Sequence, residues 1–313
     1  MMPRLTICLV VLSACVARGV AAEPSMPPVN ERFSKASAET PDFQRHVVPL
    51  LGRLGCNGRE CHGSFQGQGG FRLSLFGYDF SADHAALLTA NQGRVDRDDP
   101  AASLILRKPT LAEDHEGGER FKKDGWEHRL LLRWIEAGAP GAKADGPEFT
   151  SLDIEPPMIA FAKAGDGVQL KAFARWSDGT REDVTPLCRF RSNDESIARI
   201  DPAGIATAVT PGDTHIVVFY DNGITPIPVL LPVSNSAGPR YPEVPTPTRI
   251  DELVVQKLRP LGIVPSELCD DATFLRRVSV DLAGRLPTIE EAEQFLNDQT
   301  PTKRENLVNR LLD

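Results

Sequence analysis

The sequence predicts a multi-domain chain: an α-helical domain, then an all-β sandwich, then part of an all-α domain. Three observations predict this order. Apolar residues recur at helical spacing near both ends of the stretch 40–142. After the small, polar linker from Pro140 to Pro147 the pattern changes to short alternating runs separated by turn residues, through about 235. Past a second, proline-rich linker from Pro239 to Pro247, helical stripes return and continue to Asp313.

In the first segment, Thr40-Pro41-Asp42 opens a helix with a cap, a first-turn proline and an early acid. Phe43, Val47, Leu50, Leu51 and Leu54 form its apolar stripe, and Pro49 is expected to kink it. Phe71, Leu73 and Leu75 alternate, which predicts a short extended segment after the glycine-rich run 63–70. Trp126, Leu130, Leu131, Trp134 and Ile135 make a second amphipathic helix, stopped by Gly138 and Pro140. In the second segment the alternation of Val168, Leu170, Ala172 and Ala174 predicts one strand. Trp176 to Thr180, Asp201 to Gly204 and Asn222-Gly223 are turn signals, the last for a hairpin. Asp178, Asp183 and Asp194 suit turns better than a calcium site. In the third segment, stripes begin at Ile250, Phe274 and Leu307, and Thr288-Ile289-Glu290-Glu291 is a capping box for a further helix.

Composition is that of a globular protein, with 41% apolar and 25% charged residues in 313. A net charge of −8 without a dense basic run argues against a nucleic-acid partner. Residues 1–22 read as a signal peptide: Arg4, an uncharged apolar run from Leu5 to Val16, then Val20-Ala21-Ala22 before Glu23. Leu12-Ser13-Ala14-Cys15 also has the form of a lipobox, so a lipid anchor at Cys15 competes with soluble export. Either places the protein in the periplasm or at the cell surface.

The chemistry concentrates in Cys56-Asn57-Gly58-Arg59-Glu60-Cys61-His62-Gly63. Two thiols followed by an imidazole are the residue types that covalent haem attachment needs. The cysteines are separated by four residues rather than the usual two, so the loop must bulge, and Gly58 is expected to ease this. A disulfide between Cys56 and Cys61, or a zinc site, uses the same residues. Cys188 and Cys269 fall in separate segments and read as free thiols. Outside the signal segment the methionines are Met26 and Met158, both outside 40–142. A haem held here would draw its sixth ligand from His46, His84, His115 or His128, with Lys108 as an outside choice. His115 is favoured because its loop, with Gly117 and Gly118, can fold over a planar ligand.

The stretch from Phe43 to Pro140 resembles the cytochrome C-like domain of large secreted planctomycete proteins. The resemblance rests on Gly55-Cys56, Cys61-His62-Gly63, the run Gly69 to Asp79, Asp99 to Leu104, Lys108-Pro109-Thr110, His115 to Gly118 and Trp134 to Ala139. It implies one haem c on Cys56 and Cys61, with His62 as proximal ligand. Residues 150–235, through Trp176 to Thr180, Ser192 to Asp194, Ile197 to Asp201 and Pro211 to Thr214, resemble bacterial Ig-like (group 2) domains. Such modules serve as spacers or contact surfaces. Residues 245–313, through Ile250 to Leu253, Leu275 to Gly284 and Leu307 to Leu312, resemble the start of the helical domain that accompanies the cytochrome-like one. The resembled domain runs further than Asp313.

The function expected from these readings is an exported haem protein that transfers electrons to an unknown redox partner, a carrier rather than an enzyme. Rival readings are an adhesion protein with a structural Cys56–Cys61 disulfide and a polysaccharide or cell-surface contact, and an accessory to a polymer-degrading enzyme active beyond Asp313. No catalytic constellation is visible in the sequence.

Overall fold

The computed structural model describes residues 25–34, 38–89 and 93–312, so the signal-peptide segment and Cys15 lie outside the described residues. The chain divides into two compact units, 1–233 and 234–313. The first has helices followed by an all-β region, and the second is helical.

The first helical part contains α1 (Val29–Arg32), α2 (Val48–Arg53), α3 (Phe80–Leu88), α4 (Leu104–Arg107) and α5 (Trp126–Glu136). The helix expected from Thr40 starts two residues later than predicted, with Asp42 rather than Thr40 as its cap, its side chain accepting from Arg45 N at 2.9 Å. It does not run on as one α-helix. Phe43–Val47 forms a π-helical turn that passes into α2, with Pro49 near its start. Proline has no N–H for the carbonyl four residues back, that of Arg45. The Tyr220 hydroxyl donates to this carbonyl instead, at 2.7 Å. The expected kink is thus a change of helix type, with the orphaned carbonyl satisfied from the β region.

The second expected helix is α5. It buries Leu130, Leu131, Trp134 and Ile135, and Phe43 stacks on Trp134 at 5.5 Å. The chain leaves it through Gly138 at φ 91. The entry to the expected linker is tied down: Trp134 Nε1 donates to Pro140 O at 2.9 Å, and His84 Nε2 donates to the carbonyl of the preceding Ala139 at 2.8 Å.

The β region carries β1 (Phe149–Glu155), β2 (Ile159–Ala160), β3 (Gly167–Gln169), β4 (Lys171–Trp176), β5 (Arg181–Asp183), β6 (Arg189–Ser192), β7 (Ala198–Ile200), β8 (Ile205–Ala208), β9 (Gly212–Tyr220) and β10 (Gly223–Leu231). They form three sheets, ordered β1-β4-β5, β2-β10-β9-β6 and β3-β8-β7. Every pairing is antiparallel except β2 with β10. The strand expected through Val168 to Ala174 breaks at the fully buried Leu170, so β3 and β4 join different sheets. The β9–β10 hairpin turns on Asp221-Asn222, one residue before the expected pair, and Asp221 takes φ 50. Asp178, Asp183 and Asp194 each cap a local turn, accepting from Thr180 N, Thr185 N and Ser196 N.

One hydrophobic core runs through both parts of this unit, from Val29, Phe33 and Phe43 to Trp176, Val218 and Val229. Across it lies a buried polar cluster. Glu182 of β5 is 1% exposed, accepts from His46 Nε2 at 2.8 Å and pairs with Arg32, which also pairs with Glu39. His46 Nδ1 accepts from Asp42 N at 2.8 Å, which leaves Nε2 to donate to Glu182. Burial raises the Glu182 carboxyl, but the His46 hydrogen bond and the Arg32 charge outweigh it and hold it below its ordinary value.

In the second unit, α6 (Arg249–Leu261), α7 (Asp271–Ala283), α8 (Ile289–Asn297) and α9 (Lys303–Leu312) fall where the stripes predict them. Thr288 and Glu291 make the expected capping box, and Thr248 with Asp251 makes another on α6. Leu275, Phe295 and Leu307 form a small core. Asp271 draws α9 onto α7 through Lys303 at 2.6 Å and Arg304 at 2.7 Å.

Two predictions follow for the first unit. Tyr220→Phe should cost about 1–3 kcal/mol, because it leaves the Arg45 carbonyl buried without a donor; urea unfolding measures it, and an unchanged midpoint would refute the role. The Glu182 carboxyl, lowered in the folded state, stabilises above its unfolded pKa, and that contribution is lost as pH falls through the lowered value. Glu182→Gln should therefore flatten the acid limb of the stability–pH curve; an unaltered limb would contradict this.

Candidate haem-binding cavity

The Cys56 loop is a chain of tight turns that continues α2. Cys56 N donates to Leu51 O, Cys61 N to Gly58 O, and His62 N back to Cys56 O at 2.9 Å. The last bond closes the loop and places the second cysteine and the histidine beside the first. Of the four intervening residues, Asn57 is buried and Arg59 and Glu60 are exposed, so the extra pair bulges outward as expected. The glycine this geometry demands is not Gly58 but Gly63, where a Cβ would overlap the Asn57 carbonyl.

Cys56, Cys61, His62 and His115 all line one cavity of about 700 Å³, within the size range of cofactor sites. Leu51, Phe71, Leu73, Leu87 and Ile105 are among its apolar walls, and Arg94, Lys108 and Arg120 line it too. The expected extended segment delivers Phe71 and Leu73: Leu73 N donates to His62 O at 2.8 Å. The predicted continuation through Leu75 ends in a 3₁₀ turn, Leu75–Gly77.

Both cavity histidines are oriented by backbone carbonyls. His62 Nδ1 donates to Phe71 O at 3.0 Å, and His115 Nδ1 donates to Gly118 O at 2.8 Å. A carbonyl only accepts, so in each ring the proton is on Nδ1 and the lone pair on Nε2. This is how proteins hold imidazoles that ligate metals. Burial pushes the His62 imidazole below its ordinary value, overriding the Phe71 and Gln68 backbone groups, with Arg94 and His115 pushing the same way. It is therefore neutral at pH 7. Gly117 gives His115 its room: a Cβ there would stand 2.8 Å from Cε1 and 3.1 Å from Nε2.

The remaining sixth-ligand candidates are engaged or elsewhere. His46 is 4% exposed and uses both nitrogens. His84 donates to Ala139 O and packs against Phe43 and Trp134. His128 is buried in α5, its Nδ1 without a partner, and does not line the cavity. Lys108 does line it, but its Nζ donates to Asp114 O at 3.0 Å.

Cys56 and Cys61 are both free thiols, as are Cys188 and Cys269. Burial pushes the Cys56 thiol up to about 12, against the lowering effect of Arg120. The Arg120 guanidinium lies 3.9 Å from Cys61 Sγ and donates to Leu54 O at 3.4 Å. Among the described residues no cluster of three or more His, Cys, Asp or Glu can hold a bare metal ion, so the zinc reading finds no ligand set here. The donor set fits a haem: two thiols on one loop, two imidazoles on the same cavity, apolar walls, and cationic side chains for carboxylate groups. Arg94 and Arg120 went unnoticed in the sequence, because lone basic residues in loops carry no periodic signal, and Lys108 was weighed there only as a ligand.

Residues 249–313 match the family model described as PSCyt2, protein of unknown function (DUF1549). That match, confined to the second unit, is consistent with a planctomycete-type domain. No curated protein matches the chain. Among solved structures, the crystal structure of the S-layer protein rSbsC(31-844) is similar at 16% identity over 32% of this chain and 14% of that one, with a TM-score of 0.25. Domains 4 and 5 of the S-layer protein SbsC are similar at 16% identity, covering 29% of this chain and 56% of that one, with a TM-score of 0.25. The chain thus spans less than two thirds of either structure. Among the described residues no helix is long and apolar enough to cross a membrane.

At pH 8 the protonated Cys56 should alkylate slowly, as followed by peptide mass mapping with iodoacetamide. Labelling of Cys56 as fast as that of a free peptide thiol would show that the thiol is not shielded as described.

Proposed function

We propose that the helical part of the first unit is a cytochrome c-like domain that binds one haem c and carries electrons. The observation that carries this reading is the meeting of Cys56, Cys61, His62 and His115 on one cavity, with both Nδ1 protons committed to backbone carbonyls. Cys56 and Cys61 would hold the group covalently, and His62 and His115 would offer their imidazoles to its iron, with the Phe71 and Gly118 carbonyls fixing the ring orientation. Leu51, Phe71, Leu73 and Leu87 exclude water, and Arg94, Lys108 and Arg120 balance the carboxylates. When bound, the haem supplies one-electron redox chemistry, at a lower potential with two histidines than with a His/Met pair.

On this reading residues 150–235 are an Ig-like spacer or contact module, and residues 245–313 belong to a planctomycete-type helical domain. The protein is exported to the periplasm or cell surface, as the composition of residues 1–22 suggests.

Expression of the full chain with haem-attachment machinery should give a red protein that keeps its haem mass after denaturation. Cys56→Ser with Cys61→Ser should abolish that retention. His115→Ala should convert a low-spin spectrum to high-spin while the covalent haem remains. Colourless protein would overturn the reading, and an unchanged spectrum would remove His115 as ligand.

A further inference from the structure

A second concavity, of about 460 Å³, opens on the first unit between α2 and the β9–β10 hairpin. It shares no lining residue with the cavity that holds Cys56. Arg189, the first residue of β6, lines it. Its guanidinium rests on two rings, 4.7 Å from the Phe76 centroid and 4.4 Å from that of Phe219. Among the described residues no side chain or carbonyl hydrogen-bonds this guanidinium and no carboxylate pairs with it. Arg191 adds charge of the same sign on the same strand, and burial disfavours the Arg189 charge further. The acid of this groove, Asp221, is engaged elsewhere, accepting from Gln44 Nε2 at 3.0 Å and from Asn222 N at 2.7 Å.

A half-buried guanidinium whose donors go unused is costly, and an arginine cannot shed its proton. Aromatic faces hold the cation in place while leaving its edge available for a bidentate partner. On a chain of net charge −8 this is a cationic wall, so its complement is an anion, and the planar fork suits a carboxylate. The rest of the groove describes what carries that carboxylate. Phe76 is 53% exposed and Tyr78 74%, so two aromatic faces look out beside the cation. Asn222 lines the same space with an amide. Phe76 holds its ring there at φ 59, a conformation that costs a bulky residue strain and that clusters at ligand sites. A pyranose has an apolar C–H face for the rings and hydroxyls for the amide, and a uronate adds the carboxylate.

We propose that this groove binds an acidic sugar unit of a glycan, its carboxylate held by Arg189 and its ring stacked on Phe76 and Tyr78. The site stands on its own geometry and does not depend on haem in the other cavity. It gives the β region a ligand of stated chemistry rather than a purely spacing role.

Calorimetric titration of the full chain with tri-galacturonate tests this, against neutral galactotriose and a glutamate tripeptide. Tri-galacturonate should bind at least about tenfold more tightly than either competitor, and added salt should weaken it. Arg189→Gln should weaken binding about tenfold or more, and Arg189→Lys should restore only part, because an ammonium lacks the fork. Tyr78→Ala, at an exposed ring that the fold does not need, should weaken binding about three- to tenfold. Should Arg189→Gln fail to fold by circular dichroism, the lysine and Tyr78 variants decide. Absence of binding at millimolar ligand, equal binding of galactotriose, or indifference to the Arg189 and Tyr78 variants would each overturn the proposal. Equal binding of the tripeptide, lost in Arg189→Gln, would overturn the glycan assignment in favour of an acidic peptide.

Discussion

Glu182 is the group on which the first unit turns. A carboxylate at 1% exposure is tolerable only if its charge is answered at close range, and the answers come from the N-terminal side of the chain: His46 and Arg32. The β strand that carries it is thereby committed to one position against the helical part. The same seam carries the Tyr220–Arg45 hydrogen bond, the Arg45–Asp178 ion pair at 3.0 Å and the Arg45 guanidinium 4.3 Å above the Trp176 ring. Polar contacts set the register, and the shared apolar core supplies the bulk of the burial.

That seam explains why the Cys56 loop is well formed. The loop hangs from the end of α2, and the turn preceding α2 is pinned by Tyr220 and by His46. From there a short series of backbone bonds suffices to bring His62 beside Phe71. His115 arrives from a separate loop. It is shaped by its own Nδ1 bond to Gly118 O and by the space that Gly117 leaves. Two independent segments therefore present imidazoles to one cavity, and each is oriented by main chain alone.

Much of this was legible in the residues. Helix starts, the α5 stripe, the Thr288 capping box and the four C-terminal helices follow from local pattern, because local energetics decide them. The four candidate ligands could be named because their residue types are rare and their loops carry glycines. What stayed hidden depended on distant partners. The π turn before Pro49 exists because a tyrosine 175 positions away caps a carbonyl. His46 looked available as a ligand because nothing nearby in sequence announces Glu182. Leu170 interrupts an apparently continuous alternation because the two halves of that run pair with different sheets. Arg189 carried no local signal, because the Phe76 ring it rests on comes from over a hundred positions earlier.

The common core of the first unit has a practical meaning for how such proteins are cut and recombined. Segment borders suggested by sequence at about 142 and 150 fall inside one compact unit. Severing the chain there would part His46 and Arg32 on one fragment from Glu182 on the other, leaving a naked acid. The proline-bearing stretch between them is thus a strap laid along a single body rather than a hinge. Shuffling either half alone onto a new neighbour would require rebuilding the interior and not merely splicing a loop.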